Sequence, residues 1–150
     1  MVFDIGGRGD QSFNDSAYEG LEKAQNELGA IISDVSPNSD GSNRGELLRL
    51  MADGNDVVIG VGFLFADDMT EVAAEYPDTY FGIVDGWVMA DNVAALGFAE
   101  HEGSFLVGAA AGLKTTTDLV GFIGGVNMDL IGKFEAGFVA GVTAANPDAV

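Results

Sequence analysis

Residues 1–29 read MVFDIGGRGDQSFNDSAYEGLEKAQNELG, and this stretch predicts the first strand and the first helix of an α/β protein. Met1–Ile5 is a short apolar run of the kind that forms a strand. Apolar residues then recur at helical spacing over residues 13–28, and Gly29 follows as a helix stop signal. The order of strand, glycine-rich turn and helix is the unit from which parallel sheets are built.

The N-terminus of this helix carries polar residues and one aromatic residue. Ser12 with Asp15 has the form of a capping box, in which a hydroxyl and a carboxylate serve the first free N–H groups. Phe13 stands where helices usually carry small polar residues. Its position on the apolar stripe of the helix, taken alone, favours a core or staple phenylalanine.

Strands and helices alternate along the rest of the chain. The predicted strands are Ala30–Asp34, Asp56–Gly60, Thr79–Val84, Val93–Ala99 and Leu119–Gly124. The predicted helices are one capped by Asn43 with Leu47, Leu50 and Met51 inward, then Phe65–Tyr76, residues 102–113 buried on most sides, and residues 128–145. Continuous apolar strands between helices predict the α/β class, with a parallel sheet flanked by helices on both faces.

The net charge of −18, from 24 acidic and 6 basic residues, is the dominant feature of the composition. We interpret it as adaptation to high salt, because such self-repulsion destabilises a compact state unless salt screens it. A merely very soluble acidic protein is the alternative. Either way the charge argues against nucleic acid and anionic membrane surfaces as partners, since both need basic patches.

Catalytic and cofactor motifs are missing from the sequence. Among the glycines at residues 6, 7 and 9, Gly7 and Gly9 have the spacing of the first two glycines of the dinucleotide fingerprint G-x-G-x-x-G. The fingerprint needs its third glycine at position 12, where this sequence has Ser12. His101 lies between two glutamates and is interpreted as a solvated residue, there is no nucleophile elbow, and cysteine is absent. No catalytic residue, metal site or cofactor is therefore expected.

Polar or glycine-rich sequence follows three of the predicted strands. Asp4, the segment Gly60–Phe63 and Asp85 all fall at carboxyl ends, where ligands bind in parallel sheets. Each aspartate is either a ligand acceptor or a turn cap. One of the Phe63 and Phe65 rings is expected to cover the core, and the other is expected to face the crevice. Together these residues describe a site for a neutral, flat molecule with hydroxyl groups.

Several segments resemble the basic membrane protein family, the PnrA-like purine nucleoside-binding proteins of ABC transporters. The segments are DIGGRGDQSFNDSAYEGLEKA, SNRGELLRL, VVIGVGFLFAD, the NV of DNV, EGSFLVGAAAGLKT and VGFIGGVN…KFEAGFVAGV, in the family's order. The resemblance runs from Val2 to about Pro147. It implies a type I periplasmic-binding-protein fold, with two flavodoxin-like lobes that close on a ligand.

The resemblance also implies the roles of individual residues. Asp4 would hydrogen-bond the purine base and Phe13 would stack on it, with Ser12 and Asn14 as flanking polar contacts. Asp85 would face the sugar hydroxyls. The loop at Gly62 and Phe63 would form the wall of the cleft.

Family members are about twice as long, and their second lobe supplies further ligand contacts. We therefore expect a piece truncated at both ends, with residues 1–117 as the first lobe and residues 118–150 as the start of the second. The resemblance implies an extracytoplasmic, non-catalytic binding protein that hands purine nucleosides to an ABC permease and is tethered by a lipid anchor outside this sequence. The alternatives are a ligand-sensing regulatory module of the same fold, and a small α/β enzyme that uses Asp4 or Asp85 as a base.

Overall fold

Two units make up the chain in a computed structural model that describes all residues from 1 to 150. The first spans Met1–Gly97 and the second Phe98–Val150. The first unit contains α1 (Phe13–Leu28), α2 (Arg44–Ala52), β1 (Val57–Val61), a 3-10 turn (Phe63–Phe65), α3 (Ala66–Glu75), β2 (Tyr80–Val84) and β3 (Val93–Leu96). The second contains α4 (Glu100–Lys114) and α5 (Asp129–Ala145).

The sheet of the first unit is parallel, as the sequence predicts. β1 pairs with β2 so that Val57 lies opposite Tyr80, and β2 pairs with β3 so that Phe81 lies opposite Val93. The strand order is β1-β2-β3. Parallel neighbours require crossover connections, and here α3 supplies the first of them.

The first predicted strand is reduced to one bridging residue, and the second is not formed at the predicted residues. Val2 bridges Val35 on one side and Gly60 on the other, so the pairing on the Val35 side lies one residue beyond the predicted Ala30–Asp34 strand. The ladder stops before Asp4 because its backbone N–H donates to the Asn14 side chain, 3.0 Å away, and not to a neighbouring strand. The prediction for Met1–Ile5 is therefore too long, and the prediction for Ala30–Asp34 is wrong in position.

The core of the first unit lies on both faces of the sheet. Val58, Phe81 and Ile83 of the sheet pack with buried side chains of α2 and α3, among them Leu48 and Met69. On the other face, Phe3 and Val61 pack against one side of α1, through Ala17, Tyr18 and Leu21. Helices therefore flank the sheet, as predicted for an α/β lobe.

The inward face of α2 differs from the expectation at one position. Leu48 is fully buried, whereas Leu50, predicted to face inward, is 60% exposed. Met51 is buried as predicted. Leu48 and Met51 are three residues apart, so they lie on one helix face that Leu50 cannot share.

Close helix packing defines the second unit. A Cβ on Gly108 would overlap the carbonyl oxygen of Phe138, and a Cβ on Gly141 would overlap that of Phe105. Ser104 donates to the Phe134 carbonyl near the start of both helices, and Asn146 donates to the Gly112 carbonyl near their ends, so α4 and α5 run parallel. The prediction that residues 102–113 are buried on most sides is wrong: the glycine face is buried, but Leu113 is 73% exposed.

The connection between α4 and α5 has no assigned strand, contrary to the prediction for Leu119–Gly124. Two hydrogen bonds nevertheless join it to Val150. The Val120 N–H donates to the Val150 carbonyl at 3.0 Å, and the Val150 N–H donates to the Asp118 carbonyl at 2.8 Å. This is the pattern of one rung of a parallel ladder. None of the helices in the structure combines the length and apolar content that a membrane crossing needs.

Candidate functional site

The site is built where the Val2–Asp4 segment and β1 end side by side. The Val61 N–H donates to the Val2 carbonyl at 2.9 Å, which aligns the two segments. Asp4 and Gly62 therefore emerge together at the carboxyl edge of the sheet. A ligand site at this edge is the general rule for parallel α/β folds.

The two oxygens of the Asp4 carboxylate have different surroundings. Oδ1 accepts hydrogen bonds from the Ile5 N–H at 2.8 Å and from Nη2 of Arg44 at 3.3 Å. Oδ2 faces Gly62, where an added Cβ would lie 3.1 Å from it. No protein donor binds Oδ2, so this oxygen is available to accept a hydrogen bond from a ligand.

Gly62 has no side chain, so the Asp4 carboxylate and the Phe13 ring can both lie close to its backbone. Its φ of +113° with ψ of 151° is a conformation that residues with a Cβ rarely adopt. A Cβ here would also lie 3.6 Å from Cε1 of Phe13. The Asp4 carboxylate, the Phe13 ring edge and the bare Gly62 backbone thus border one small space.

Phe13 is not a core residue. Its side chain is the first of α1 and is 38% exposed, and it is absent from the buried cluster that Ala17 and Leu21 join. The reading of Phe13 as a core phenylalanine is therefore wrong. An exposed ring beside a charged acceptor can stack on a flat ligand.

The predicted capping box is replaced by a different cap. Ser12 makes no side-chain cap hydrogen bond, and the Asp15 carboxylate accepts from the N–H groups of Gly9 and Gln11. The Asp10 carboxylate accepts from the N–H groups of Ser12, Asn14 and Asp15. The hydrogen bond from the Asn14 N–H is the main cause that lowers the pKa of Asp10.

Asn14 fixes the position of Asp4. It is buried, and its Oδ1 accepts the Asp4 backbone N–H at 3.0 Å. Ser12, in contrast, is exposed at the rim. Of the two polar residues that flank Phe13, one supports the acceptor from inside and the other faces solvent.

Phe63 and Asp85 lie together beyond β1 and β2. The Gly62 N–H donates to the Val84 carbonyl at 3.0 Å, which joins the two strand ends. A Cβ on Gly86 would lie 3.2 Å from the Cα of Phe63. Phe63 is half-buried while Phe65 is fully buried, which confirms the expectation that one of these two rings covers the core.

Asp85 occupies a turn with left-handed backbone. Its φ is +61°, and its N–H donates to the Leu96 carbonyl at 2.9 Å. Aspartate tolerates this conformation better than most residues. The structure therefore holds Asp85 at the end of β2, on the same edge as Asp4.

Arg44 is the site residue that the sequence reasoning missed. It is the first residue of α2, its side chain is only 11% exposed, and it pairs with Asp4. Its position at a helix N-terminus is a signal in the sequence, because a cation there is unfavourable unless a carboxylate compensates it.

Comparison with known proteins identifies the family. The family model for "ABC transporter substrate-binding protein PnrA-like" matches residues 1–150. The chain belongs to this family, as the resemblance of its motifs implies. The fold is that of a substrate-binding protein of an ABC transporter.

Three curated relatives illustrate the match. A CD4+ T-cell-stimulating antigen of Listeria monocytogenes is 41% identical over 99% of this chain and 43% of its own length. A lipoprotein of Pyrococcus abyssi is 36% identical over 94% of this chain and 36% of its own. The ABC transporter nucleoside-binding protein BmpA of Lactococcus lactis is 35% identical over 99% of this chain and 44% of its own. The chain spans less than half the length of each.

Among solved structures, a solute-binding protein of an ABC transporter system from Aeropyrum pernix matches with a TM-score of 0.82. It is 30% identical to this chain, and the match covers 97% of this chain and 42% of the other. The parallel sheet flanked by helices is thus the fold of known solute-binding proteins.

Proposed function

We propose that this chain is the part of an ABC transporter substrate-binding protein that holds one face of a purine nucleoside. The observation that carries the proposal is the convergence of Asp4 Oδ2 and the Phe13 ring edge on the bare backbone of Gly62. One group accepts a hydrogen bond and the other offers an aromatic surface. A planar base with a polar edge satisfies both at once.

The strength of such a site comes from two unlike interactions. Stacking of a base on an aromatic side chain contributes about 1–3 kcal/mol in single-stranded nucleic-acid complexes. A hydrogen bond to a charged acceptor is stronger than one between neutral groups. In this proposal Phe13 supplies the first interaction and Asp4 the second.

The remaining predicted contacts extend the site along the sheet edge. Asp85 lies at the end of β2 and would accept hydrogen bonds from the sugar hydroxyls. Gly62 and Phe63 form the wall between the two aspartates. Ser12 is the exposed polar contact at the rim, and Asn14 contributes by holding the Asp4 backbone.

Transport outside the cytoplasm is the second part of the proposal. The family name describes an ABC transporter substrate-binding protein, and a relative from Pyrococcus abyssi carries the name lipoprotein. We infer that the protein acts at the outer side of the cell membrane, held by a lipid anchor, and delivers its ligand to a permease. Its role is binding without catalysis.

Calorimetric titration of the complete gene product tests the proposal. The ligands are guanosine, inosine, adenosine, cytidine, ribose and an amino-acid mixture, in molar salt because of the charge of −18. Affinity in the micromolar range or tighter for a purine nucleoside, and none for ribose or amino acids, is the expected result. A folded protein that gives no heat with any nucleoside refutes it.

A further inference from the structure

Arg44 is held from three sides beneath the candidate site. Its Nη2 donates to Asp4 Oδ1 at 3.3 Å, and its Nη1 donates to the Gly41 carbonyl at 3.3 Å. Its guanidinium carbon lies 5.6 Å from the centre of the buried Phe65 ring. A planar guanidinium that bonds in two directions has one orientation, so its contact with Asp4 has a fixed direction.

Gly41 confirms how closely the guanidinium is enclosed. Its φ is +69°, and a Cβ there would overlap the Arg44 head group. A glycine is therefore required by both the backbone conformation and the space that Arg44 occupies. The loop before α2 is shaped around this side chain.

The pairing divides the Asp4 carboxylate into two unequal halves. Both donors that reach it, the Ile5 N–H and Arg44 Nη2, bind Oδ1. Oδ2 is left facing the space between Gly62 and Phe13. The carboxylate therefore presents one acceptor at one fixed position to whatever stacks on Phe13.

The pairing also changes the charge that a ligand meets. An unpaired carboxylate in a half-buried site favours a cationic partner, because burial without compensation is costly. Here the Arg44 charge already compensates Asp4. The pair as a whole is neutral, so the Asp4 end of the site favours a neutral ring that carries an N–H donor.

We propose that Arg44 is a positioning residue that makes Asp4 a one-sided acceptor and thereby selects neutral bases with an N–H at the ring edge. This inference rests on the proposed function. Arg44 acts through Asp4 and does not touch the ligand. Its loss therefore affects ligands that use the Oδ2 acceptor more than ligands that do not.

The substitution Asp4→Asn follows from the same geometry. Arg44 and the Ile5 N–H are both donors, so they hold the amide oxygen of the asparagine at the Oδ1 position. The NH₂ group then occupies the Oδ2 position and faces the ligand as a donor. Because Arg44 fixes the orientation of the amide, the substitution is expected to reverse the ligand preference from N–H donors to acceptors, and not only to weaken binding.

Two nucleosides distinguish a site that offers an acceptor at the Oδ2 position from a site that offers a donor there. Inosine carries one base N–H, at ring position 1, whereas purine riboside has an unprotonated acceptor nitrogen at that position and no N–H on the base. Their affinities are measured by calorimetry for the complete gene product and for its Arg44→Gln, Asp4→Asn and doubly substituted forms. Arg49→Gln is the matched control, because Arg49 lies in the same helix but pairs with Glu75 at 2.7 Å.

The expected result is a change in selectivity. Arg44→Gln lowers inosine affinity about tenfold or more, as expected for misplacing a charged acceptor, and changes purine riboside affinity less than about threefold. Asp4→Asn reverses the preference between the two nucleosides, and adding Arg44→Gln shrinks that reversal. Arg49→Gln leaves both affinities unchanged.

Other outcomes overturn the inference. Equal losses for both nucleosides in Arg44→Gln indicate a purely structural role, and so does an Asp4→Asn protein that loses both ligands without a reversal. If Arg44→Gln fails to fold, the Asp4→Asn measurement decides alone. A parent protein that binds neither nucleoside overturns the proposed function as well, whereas a parent that binds inosine with unaltered selectivity in the variants overturns this inference only.

Discussion

Replacing Gly62 with alanine adds a single methyl group at the centre of the candidate site. The new Cβ would lie 3.1 Å from Asp4 Oδ2 and 3.6 Å from Cε1 of Phe13, in the space proposed for the edge of the base. The backbone there has φ +113° and ψ 151°, a region in which a residue with a Cβ is strained by about 1–3 kcal/mol. The substitution therefore lowers both stability and affinity.

The loss of affinity follows from the hydrogen bond that the methyl group obstructs. A hydrogen bond to a charged group contributes about 1.5–3 kcal/mol, which corresponds to an affinity loss of about 10- to 150-fold. Calorimetric titration with inosine measures this loss, and thermal unfolding of the same sample measures the strain. Both use the complete gene product.

Gly29→Ala is the matched control for strain without obstruction. Gly29 also has a positive φ, of +71°, and a Cβ there meets no atom within 4 Å. It ends α1, which separates it from Phe13 by about 24 Å at 1.5 Å per residue. If Gly62→Ala lowers the melting temperature as Gly29→Ala does but leaves inosine affinity within twofold of the parent, the space beside Asp4 is not the ligand position and the reasoning fails.

Three further changes test other parts of the structure. Phe13→Ala removes the stacking ring and is expected to lower nucleoside affinity at least about tenfold, while Phe13→Tyr retains binding; unchanged affinity in the alanine variant, measured by titration, contradicts this placement of the ring. Gly108→Ala places a methyl group against the Phe138 carbonyl and lowers the melting temperature. Gly103→Ala in the same helix meets no atom and raises the melting temperature, because alanine favours the helix over glycine by about 0.8–1 kcal/mol. Equal effects of the two substitutions in thermal scans contradict the close packing of α4 with α5. Asp10→Asn removes a carboxyl whose pKa is lowered in the folded state, so the stability that this carboxyl adds is present above its unfolded pKa and is lost as the pH falls through the folded pKa. Below about pH 4, the melting temperature of the variant should therefore fall less steeply with pH than that of the parent. Parallel slopes argue against Asp10 as the helix cap.

Much of the fold could be predicted from the sequence because hydrophobic period and glycine placement are local signals. The β-branched run at Val57–Val61 and the apolar stripe of α3 both carry such a signal. The ends of Met1–Ile5 could not be predicted, since they depend on whether a backbone N–H finds a strand or a side chain. Asn14, ten residues further on, takes the N–H of Asp4 and ends the ladder.

The cap of α1 shows a limit of motif reading. Ser12 and Asp15 fit the capping-box spacing, but a second carboxylate, Asp10, stands just before them. The loop folds back so that Asp10 reaches three N–H groups, while Asp15 binds the loop itself. Spacing alone does not decide between two nearby carboxylates, because the decision depends on the path of the loop.

The face of α4 illustrates a different limit. Its glycines and alanines give the helix a weak stripe, so its apolar composition predicts burial without indicating a direction. The backbone contact with α5 buries Gly108 and Gly112, and larger side chains such as Leu113 point elsewhere. Small residues permit close approach and therefore lie at the contact.

Arg44 connects the acidity of the chain to the selectivity proposed for the site. In a protein with 24 acidic and 6 basic residues, a lone carboxylate in a cleft would attract any available cation. One of the few cations instead lies partly buried beside Asp4, 40 residues away in sequence, at a distance of 3.3 Å. Salt screens exposed charges beyond about 10 Å at 0.1 M, but a partly buried pair at contact distance is screened far less. The pair therefore keeps its orientation at high ionic strength, and recognition depends on the direction of one hydrogen bond and on one aromatic surface, neither of which requires a net charge on the ligand.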